Sequence, residues 1–123
     1  MLDCTNPLKP DLSGLTSEPG SSGGEQVTSW IPEAKVFKVF NTTGFNIMAD
    51  PVLQGRKALM LVAGDDEQGK RTVLGLVEDI GFEAVDFGGL EGARLLEPFA
   101  LTWIKLAYQH GQGRDFAFGL LRR

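Results

Sequence analysis

The spacing of apolar positions changes several times along the chain, and each change marks an element. Lys35-Val36-Phe37-Lys38-Val39-Phe40 gathers β-branched and aromatic residues in one short run, which predicts a strand. Lys57 to Ala63 (Lys-Ala-Leu-Met-Leu-Val-Ala) is apolar almost throughout and stops at Gly64, the pattern of a strand covered on both faces. Phe82 to Phe87 alternates apolar and acidic residues and predicts a further strand, ending at Gly88-Gly89. Met1 to Leu8 starts apolar and runs into Thr5-Asn6-Pro7. Pro7 bars a helix and favours an extended Asn6, so this segment reads as a clipped strand followed by a polar loop.

Helical spacing fills the intervals. Ser22 and Glu25 make a capping-box pattern, so a short helix carrying Val27, Trp30 and Ile31 is expected from about Gly23, with Pro32 as its stop. Val73, Leu76, Val77 and Ile80 form a stripe behind Asp65-Asp66, either of which can cap the helix, and Gly81 stands at the C′ position. Glu91 to His110 reads as a long apolar C-terminal helix. Leu96, Phe99, Ala100, Trp103, Ile104 and Ala107 line one wide face, and Leu95, Leu101 and Leu106 lie elsewhere on it. Pro98 predicts a kink or a break. A helix apolar around most of its circumference calls for more than one neighbour, another subunit included.

The remaining segments are connections. Lys9 to Gly24 is rich in Pro, Gly and Ser and reads as a long surface loop; Phe45 to Lys57, with Pro51 and Gly55, has neither period and also reads as loop. The tail from Gly111 to Arg123 carries Phe116, Phe118, Leu120 and Leu121 and is expected to dock, with Arg122-Arg123 solvated. The order is strand, helix, strand, loop, strand, helix, strand, helix, which places the chain in the α/β class with about four strands and flanking helices. The Phe45–Lys57 connection is barely long enough for a helical crossover. The strand after it is therefore expected to run antiparallel to its predecessor, giving a mixed sheet.

Composition narrows the function classes. At 123 residues the chain fits a single domain, 1–123. Sixteen glycines are nearly twice the average share of about 7%, and they sit mostly at the ends of apolar segments, as tight connections require. Twelve basic against sixteen acidic side chains leave a net charge of −4, which speaks against a nucleic-acid or anionic-membrane surface. No apolar stretch approaches the roughly 18 residues of a membrane helix, and no secretory pattern opens the chain. The reading is a cytoplasmic protein. A single cysteine (Cys4) and a single histidine (His110) make a His/Cys metal cluster implausible.

No nucleophile–base pair is visible. Cys4 reads as a small buried hydrophobe, and His110 as a helix C-terminal residue favoured by the dipole. Two loops carry more information. Thr5-Asn6-Pro7 and Asn41-Thr42-Thr43-Gly44 each follow the carboxyl end of a predicted strand, the place where open α/β sheets bind ligands. Both offer hydroxyl and amide groups without charge, suited to a neutral ring, a ribose or an amide. Asn and Thr also close turns with no further role. Gly20-Ser21-Ser22-Gly23-Gly24 follows a loop and Gly111-Gln112-Gly113 follows a helix, so neither is a dinucleotide fingerprint at a strand-to-helix turn.

A series of motifs resembles one family. Cys-Thr-Asn-Pro-Leu (4–8), Gly-Gly-Glu-Gln-Val (23–27), Phe-Asn-Thr-Thr-Gly (40–44), Val-Ala-Gly-Asp-Asp (62–66), Leu-Val-Glu-Asp-Ile-Gly-Phe (76–82), Ala-Arg-Leu-Leu-Glu-Pro (93–98) and Gly-Arg-Asp-Phe-Ala-Phe (113–118) occur in order. Together they resemble the bacterial NADP oxidoreductases related to coenzyme F-420-dependent NADP reductase. The oxidoreductase domain of the six-transmembrane metalloreductases is a more distant relative. The resemblance implies the second half of a Rossmann-like, NAD(P)-binding sheet. The N-terminal half with its Gly-x-Gly-x-x-Gly turn, and the basic residues for the NADP 2′-phosphate, have no counterpart in these residues. It also implies hydride transfer between NADP(H) and a deazaflavin (coenzyme F-420) or flavin acceptor. Thr5, Asn6 and Pro7 then lie toward the nicotinamide, and Asn41, Thr42 and Thr43 border the cleft where it meets the hydride partner. Such chemistry needs orientation and exclusion of water more than acid–base groups, so no catalytic residue is expected among these. A homo-oligomer or a complementing N-terminal half is the implied partner. The alternative is a non-catalytic truncated domain that acts in oligomerisation or as a partner subunit.

Overall fold

The computed structural model describes residues 1–123. The chain opens with β1 (Leu2–Asp3), followed after a long loop by α1 (Gly23–Trp30) and β2 (Phe37–Lys38). Next come α2 (Phe45–Ala49), β3 (Val52–Leu53), β4 (Arg56–Lys57), β5 (Leu59–Gly64) and α3 (Glu67–Ile80). The chain then forms β6 (Glu83–Asp86), a 3₁₀ turn (Leu90–Gly92) and α4 (Ala93–Tyr108). The class is α/β. Four strands form a mixed sheet in the order β1-β2-β5-β6. β1 and β2 are parallel, with Leu2 opposite Phe37 and Asp3 opposite Lys38. β5 runs antiparallel to β2, as expected, and β6 runs parallel to β5. No helix is long and apolar enough to cross a membrane.

The core is built from the strand runs. Phe37, Val39, Met60 and Val62 pack against Val73 and Val77 of α3, with Ile47, Ala58 and Phe82 closing the cluster. Phe37 lies flat against the backbone at Gly64 and Gly69, where any side chain would collide with its ring. Asp66 caps α3 by accepting from the Gly69 amide at 2.8 Å. Asp65 instead accepts from the Leu90 amide at 2.8 Å, at the 3₁₀ turn. Gly81, at φ 115°, terminates α3 in the left-handed region that glycine adopts without steric cost.

Several expectations are corrected. The Phe45–Lys57 segment is not loop: it holds α2 and a β3–β4 hairpin. A five-residue helix with one buried anchor, Ile47, is too short to establish a period. The hairpin turns on Gln54 and Gly55, both at positive φ, the twist that a two-residue hairpin favours. Leu76 and Ile80 of the α3 stripe are exposed; the helix buries Lys70, Val73 and Val77, and Leu74 packs partly against the core. Pro98 does not break α4, which runs unbroken from Ala93 to Tyr108 and starts later than expected behind the 3₁₀ turn. Nor is α4 covered all round: Ala93, Leu96, Glu97, Ala100, Trp103 and Ala107 are buried, while Leu95 and Tyr108 face solvent. The tail docks through Phe116 on Trp103 and Phe118 on Phe99, with ring centroids 5.2 and 4.6 Å apart. Arg122 is not simply solvated, since its guanidinium pairs with Glu83 of β6.

Candidate functional site

β1 and β2 are neighbouring parallel strands, so the loops that follow them leave the same edge of the sheet side by side. The first loop begins with an Asx turn, in which Asp3 Oδ1 accepts from the Thr5 amide at 3.0 Å and from the Thr5 hydroxyl at 2.7 Å. Pro7 presents its carbonyl to the Thr16 amide at 2.7 Å, which folds the long loop back over it. The second loop begins with a backbone contortion. Phe40 has φ 58°, a left-handed conformation that costs a bulky residue of order 1–2 kcal/mol. The Phe40 amide donates to Met60 Sδ at 3.3 Å, and the turn delivers Asn41 against the first loop.

Asn6 and Asn41 interlock there. Asn6 Nδ2 donates to the Asn41 carbonyl at 2.8 Å, and Asn41 Nδ2 donates to Asn6 Oδ1 at 3.1 Å and to the Leu96 carbonyl of α4 at 3.1 Å. The structure therefore joins the two predicted loops through one residue of each. Thr42 is buried, with its hydroxyl 3.9 Å from Met60 Sδ, so it faces the core. Asn41 Oδ1 and the Thr43 hydroxyl are buried polar groups without a partner, which costs free energy wherever nothing else pairs with them. Thr5 and Pro7 line a cleft of about 290 Å³ together with Ser21, Ser22, Gly23 and Trp30. Asn6 and the Asn41–Thr43 segment are not part of its wall.

Three functional-site neighbours escaped the sequence reading. Lys38 of β2 is fully buried, with Nζ 2.7 Å from Asp3 Oδ2, 3.2 Å from Glu97 Oε1 of α4 and 2.8 Å from the Thr5 carbonyl. Glu97 also accepts from the Gly23 and Gly24 amides at the start of α1, at 2.9 and 3.1 Å. Burial pushes the Asp3 carboxyl up, but hydrogen bonds from Lys38 and Thr5 outweigh it and hold the group below its ordinary value. The available signal was a lysine inside an otherwise apolar strand and a glutamate on the apolar face of a helix. Each is ordinary alone, and the pairing exists only in three dimensions.

Cys4 is exposed rather than a small buried hydrophobe. Partial desolvation and the neighbouring Asp3 charge raise its thiol above the ordinary value, the opposite of an activated nucleophile. His110 lies exposed just beyond α4, far along the chain from both loops. The site thus offers uncharged amides and hydroxyls, with its one nearby ammonium already engaged underneath.

Comparison with known proteins bears on the fold that holds these loops. Neither a protein-family model nor a curated protein matches the sequence. Among solved structures, the chain is similar to a protein of Arthrobacter sp. FB24 provisionally assigned as an F420-dependent NADP reductase. The match has a TM-score of 0.85 and 32% identity, over 98% of this chain and 56% of that one. A hypothetical protein of Sinorhizobium meliloti is similar with a TM-score of 0.67 and 27% identity, over 75% of this chain and 45% of that one. The chain thus spans about half the length of each. The resemblance that the motifs carry is matched by a likeness of fold to that provisionally assigned reductase over 98% of this chain.

Proposed function

We propose that this chain forms the part of an NADP-dependent oxidoreductase that lies against the nicotinamide end of the cofactor and its hydride partner, a deazaflavin or flavin. The observation that carries the reading is the Asn6–Asn41 interlock, which fixes two uncharged loops side by side at the carboxyl ends of adjacent parallel strands. The similarity to a reductase-assigned protein supports the chemistry. The residues fit the ring end of a dinucleotide: Asn41 Oδ1, which accepts, and Thr43 Oγ1, which can accept or donate, are buried without a partner. They do not fit its pyrophosphate, for which the sequence has no glycine-rich turn between strand and helix.

When bound, the nicotinamide supplies the hydride. In this reading Asn6, Pro7, Asn41 and Thr43 orient the ring and keep water from it, with Thr5 beside them and Thr42 anchoring the second loop to Met60. No proton transfer is required of the chain. β1 is an edge strand with Met1 and Leu2 exposed. An unpaired edge of this kind accepts another strand, so a complementing N-terminal half or a second copy is the proposed partner.

The test is deuteride transfer from 4-deuterated NADPH to coenzyme F-420 or a flavin. The chain is assayed alone and with a complementing Gly-x-Gly-x-x-Gly-bearing segment. Transfer is expected only in the complemented protein, and the chain alone should bind NADP(H) weakly. Absence of transfer to every deazaflavin and flavin acceptor after complementation overturns the proposal, as does a sub-micromolar dissociation constant for the chain alone.

A further inference from the structure

Beneath the candidate site lies a cluster that hydride transfer does not itself use. Lys38, Asp3 and Glu97 bring three formal charges together with side-chain exposures of 0%, 3% and 0%. The set carries one net negative charge, and Glu97 meets it by accepting two amides from the N-terminus of α1, where the helix dipole is positive. The other first-turn donors of α1 are occupied by Ser22: its hydroxyl accepts from the Glu25 amide at 3.1 Å and its carbonyl from the Gln26 amide at 3.1 Å. α1 can seat this deeply because its first residues are glycines. A Cβ at Gly23 would meet Glu97 Oε1 at 3.0 Å and Pro7 at 3.3 Å, and one at Gly24 would meet the Lys38 side chain at 3.3 Å.

Buried ion clusters are a weak means of stabilisation, since well-packed apolar residues of similar volume hold a core as well or better. What this one does have is direction. Lys38 reaches the Thr5 carbonyl and the Asp3 carboxylate, and Asp3 shapes the turn that leads into Asn6. We propose that Lys38 is a positioning residue: its ammonium holds the Thr5–Pro7 loop in the one geometry that lets Asn6 engage Asn41, and through Glu97 it sets α1 against that loop. The inference rests on the reading of these loops as a cofactor-facing site. Its physical content, a tether on a particular loop, is measurable whether or not hydride transfer is.

The experiment is hydrogen–deuterium exchange on the full 123-residue chain, comparing wild type, Lys38→Met and the double variant Lys38→Met/Glu97→Gln. Removing Lys38 alone leaves two buried carboxylates without their cation and lowers global stability. The double variant brings the cluster back to its original net charge and is expected to recover the thermal midpoint. It does not restore a donor to the Thr5 carbonyl. Losing a charge-assisted hydrogen bond should leave the amides of Thr5, Leu8 and Thr16 exchanging roughly tenfold faster or more in the double variant, while β5 and α3 return to wild-type protection. Should Lys38→Met fail to fold, the double variant alone gives this reading. Asp3→Asn, which keeps an acceptor for Thr5 and drops the charge facing Lys38, gives it from the other side of the tether. Loop exchange that recovers with the thermal midpoint, or that never exceeds the change in β5 and α3, overturns the proposal. If the loop loosens as described yet the complemented protein transfers no deuteride, the tether stands and the oxidoreductase reading falls.

Discussion

The two ends of the sheet each hide a lysine, and the two are hidden differently. At the β1–β2 end, Lys38 faces carboxylates that are themselves buried, Asp3 and Glu97. On the β5–β6 side, where those strands finish, Lys70 of α3 reaches the carbonyls of Gly64 and Gly88 at 3.2 and 3.1 Å. Its carboxylate partners there are Glu67 and Asp86, with side chains 69% and 45% exposed. Water screens one set of charges and not the other. The Lys70 end is a capped strand terminus in which both carboxylates, though not Lys70 itself, have solvent as an alternative partner. At the Lys38 end none of the three charges has solvent as an alternative, so each depends on its buried partners.

That difference orders the expected effects. Lys38→Met should be the most damaging change, costing about 3–5 kcal/mol because it strands buried carboxylates. Lys70→Met removes donors to two carbonyls, one of which still accepts from the Gly64 amide, and leaves only solvated acids; roughly 1–2 kcal/mol is expected. Urea denaturation of both variants measures the gap, and equal losses would erase the proposed distinction between the ends.

Function should separate the ends as well. In the complemented protein, replacing Asn41 or Thr43 by leucine should lower turnover roughly tenfold, about 1.4 kcal/mol in the barrier. Lys70→Met, Cys4→Ser and His110→Gln should leave the turnover of folded protein nearly unchanged. If His110→Gln abolished turnover while the Asn41 and Thr43 changes were silent, the cleft would lie on other loops.

The smallest effects are those of pH. Folded Asp3 and Asp86 both titrate below the ordinary 3.8. For Asp86 the chief cause is the hydrogen bond from the Gly88 amide, with Lys70 adding to it. Their stabilisation is therefore present above that value and fades as pH falls through the depressed folded one. For Lys70 burial alone would lower the ammonium, but Asp86 and Glu67 outweigh it and raise it above 10.5. Its contribution is full below that pH and is lost as pH climbs past it. Asp3→Asn should flatten the acid limb of the stability profile more than Asp86→Asn, and Lys70→Met should flatten the alkaline limb. The reverse ranking in acid would mean that burial of the partner carboxylates is not what distinguishes the ends.

Much of this was legible from local pattern. The apolar run of β5, the Ser22–Glu25 box, the Asp66 cap and the Gly81 terminus are each encoded within a few residues of where they act. The antiparallel run of β5 was also expected, from a connection barely long enough for a helical crossover, although that connection in fact holds α2 and the β3–β4 hairpin. The loops at Thr5–Pro7 and Asn41–Thr43 were recognisable as strand ends carrying amides and hydroxyls. α2 and the β3–β4 hairpin were not, since so few residues cannot display a period. The exposure of Cys4, the continuity of α4 through Pro98 and the pairing of Arg122 with Glu83 were equally out of reach.

By itself the sequence determined the α/β class, the order of the principal elements and the two uncharged loops, because propensity, capping and chain length act over short separations. Only the tertiary structure decided that Asn6 would lock onto Asn41, 35 residues away, and that Thr42 would turn inward to Met60. It alone assembled Lys38, Asp3 and Glu97 into one cluster. These pairings depend on strand register, on the left-handed turn at Phe40 and on how closely the glycines of α1 approach α4. Such quantities arise from the summed packing of the domain, and no short window of residues contains them.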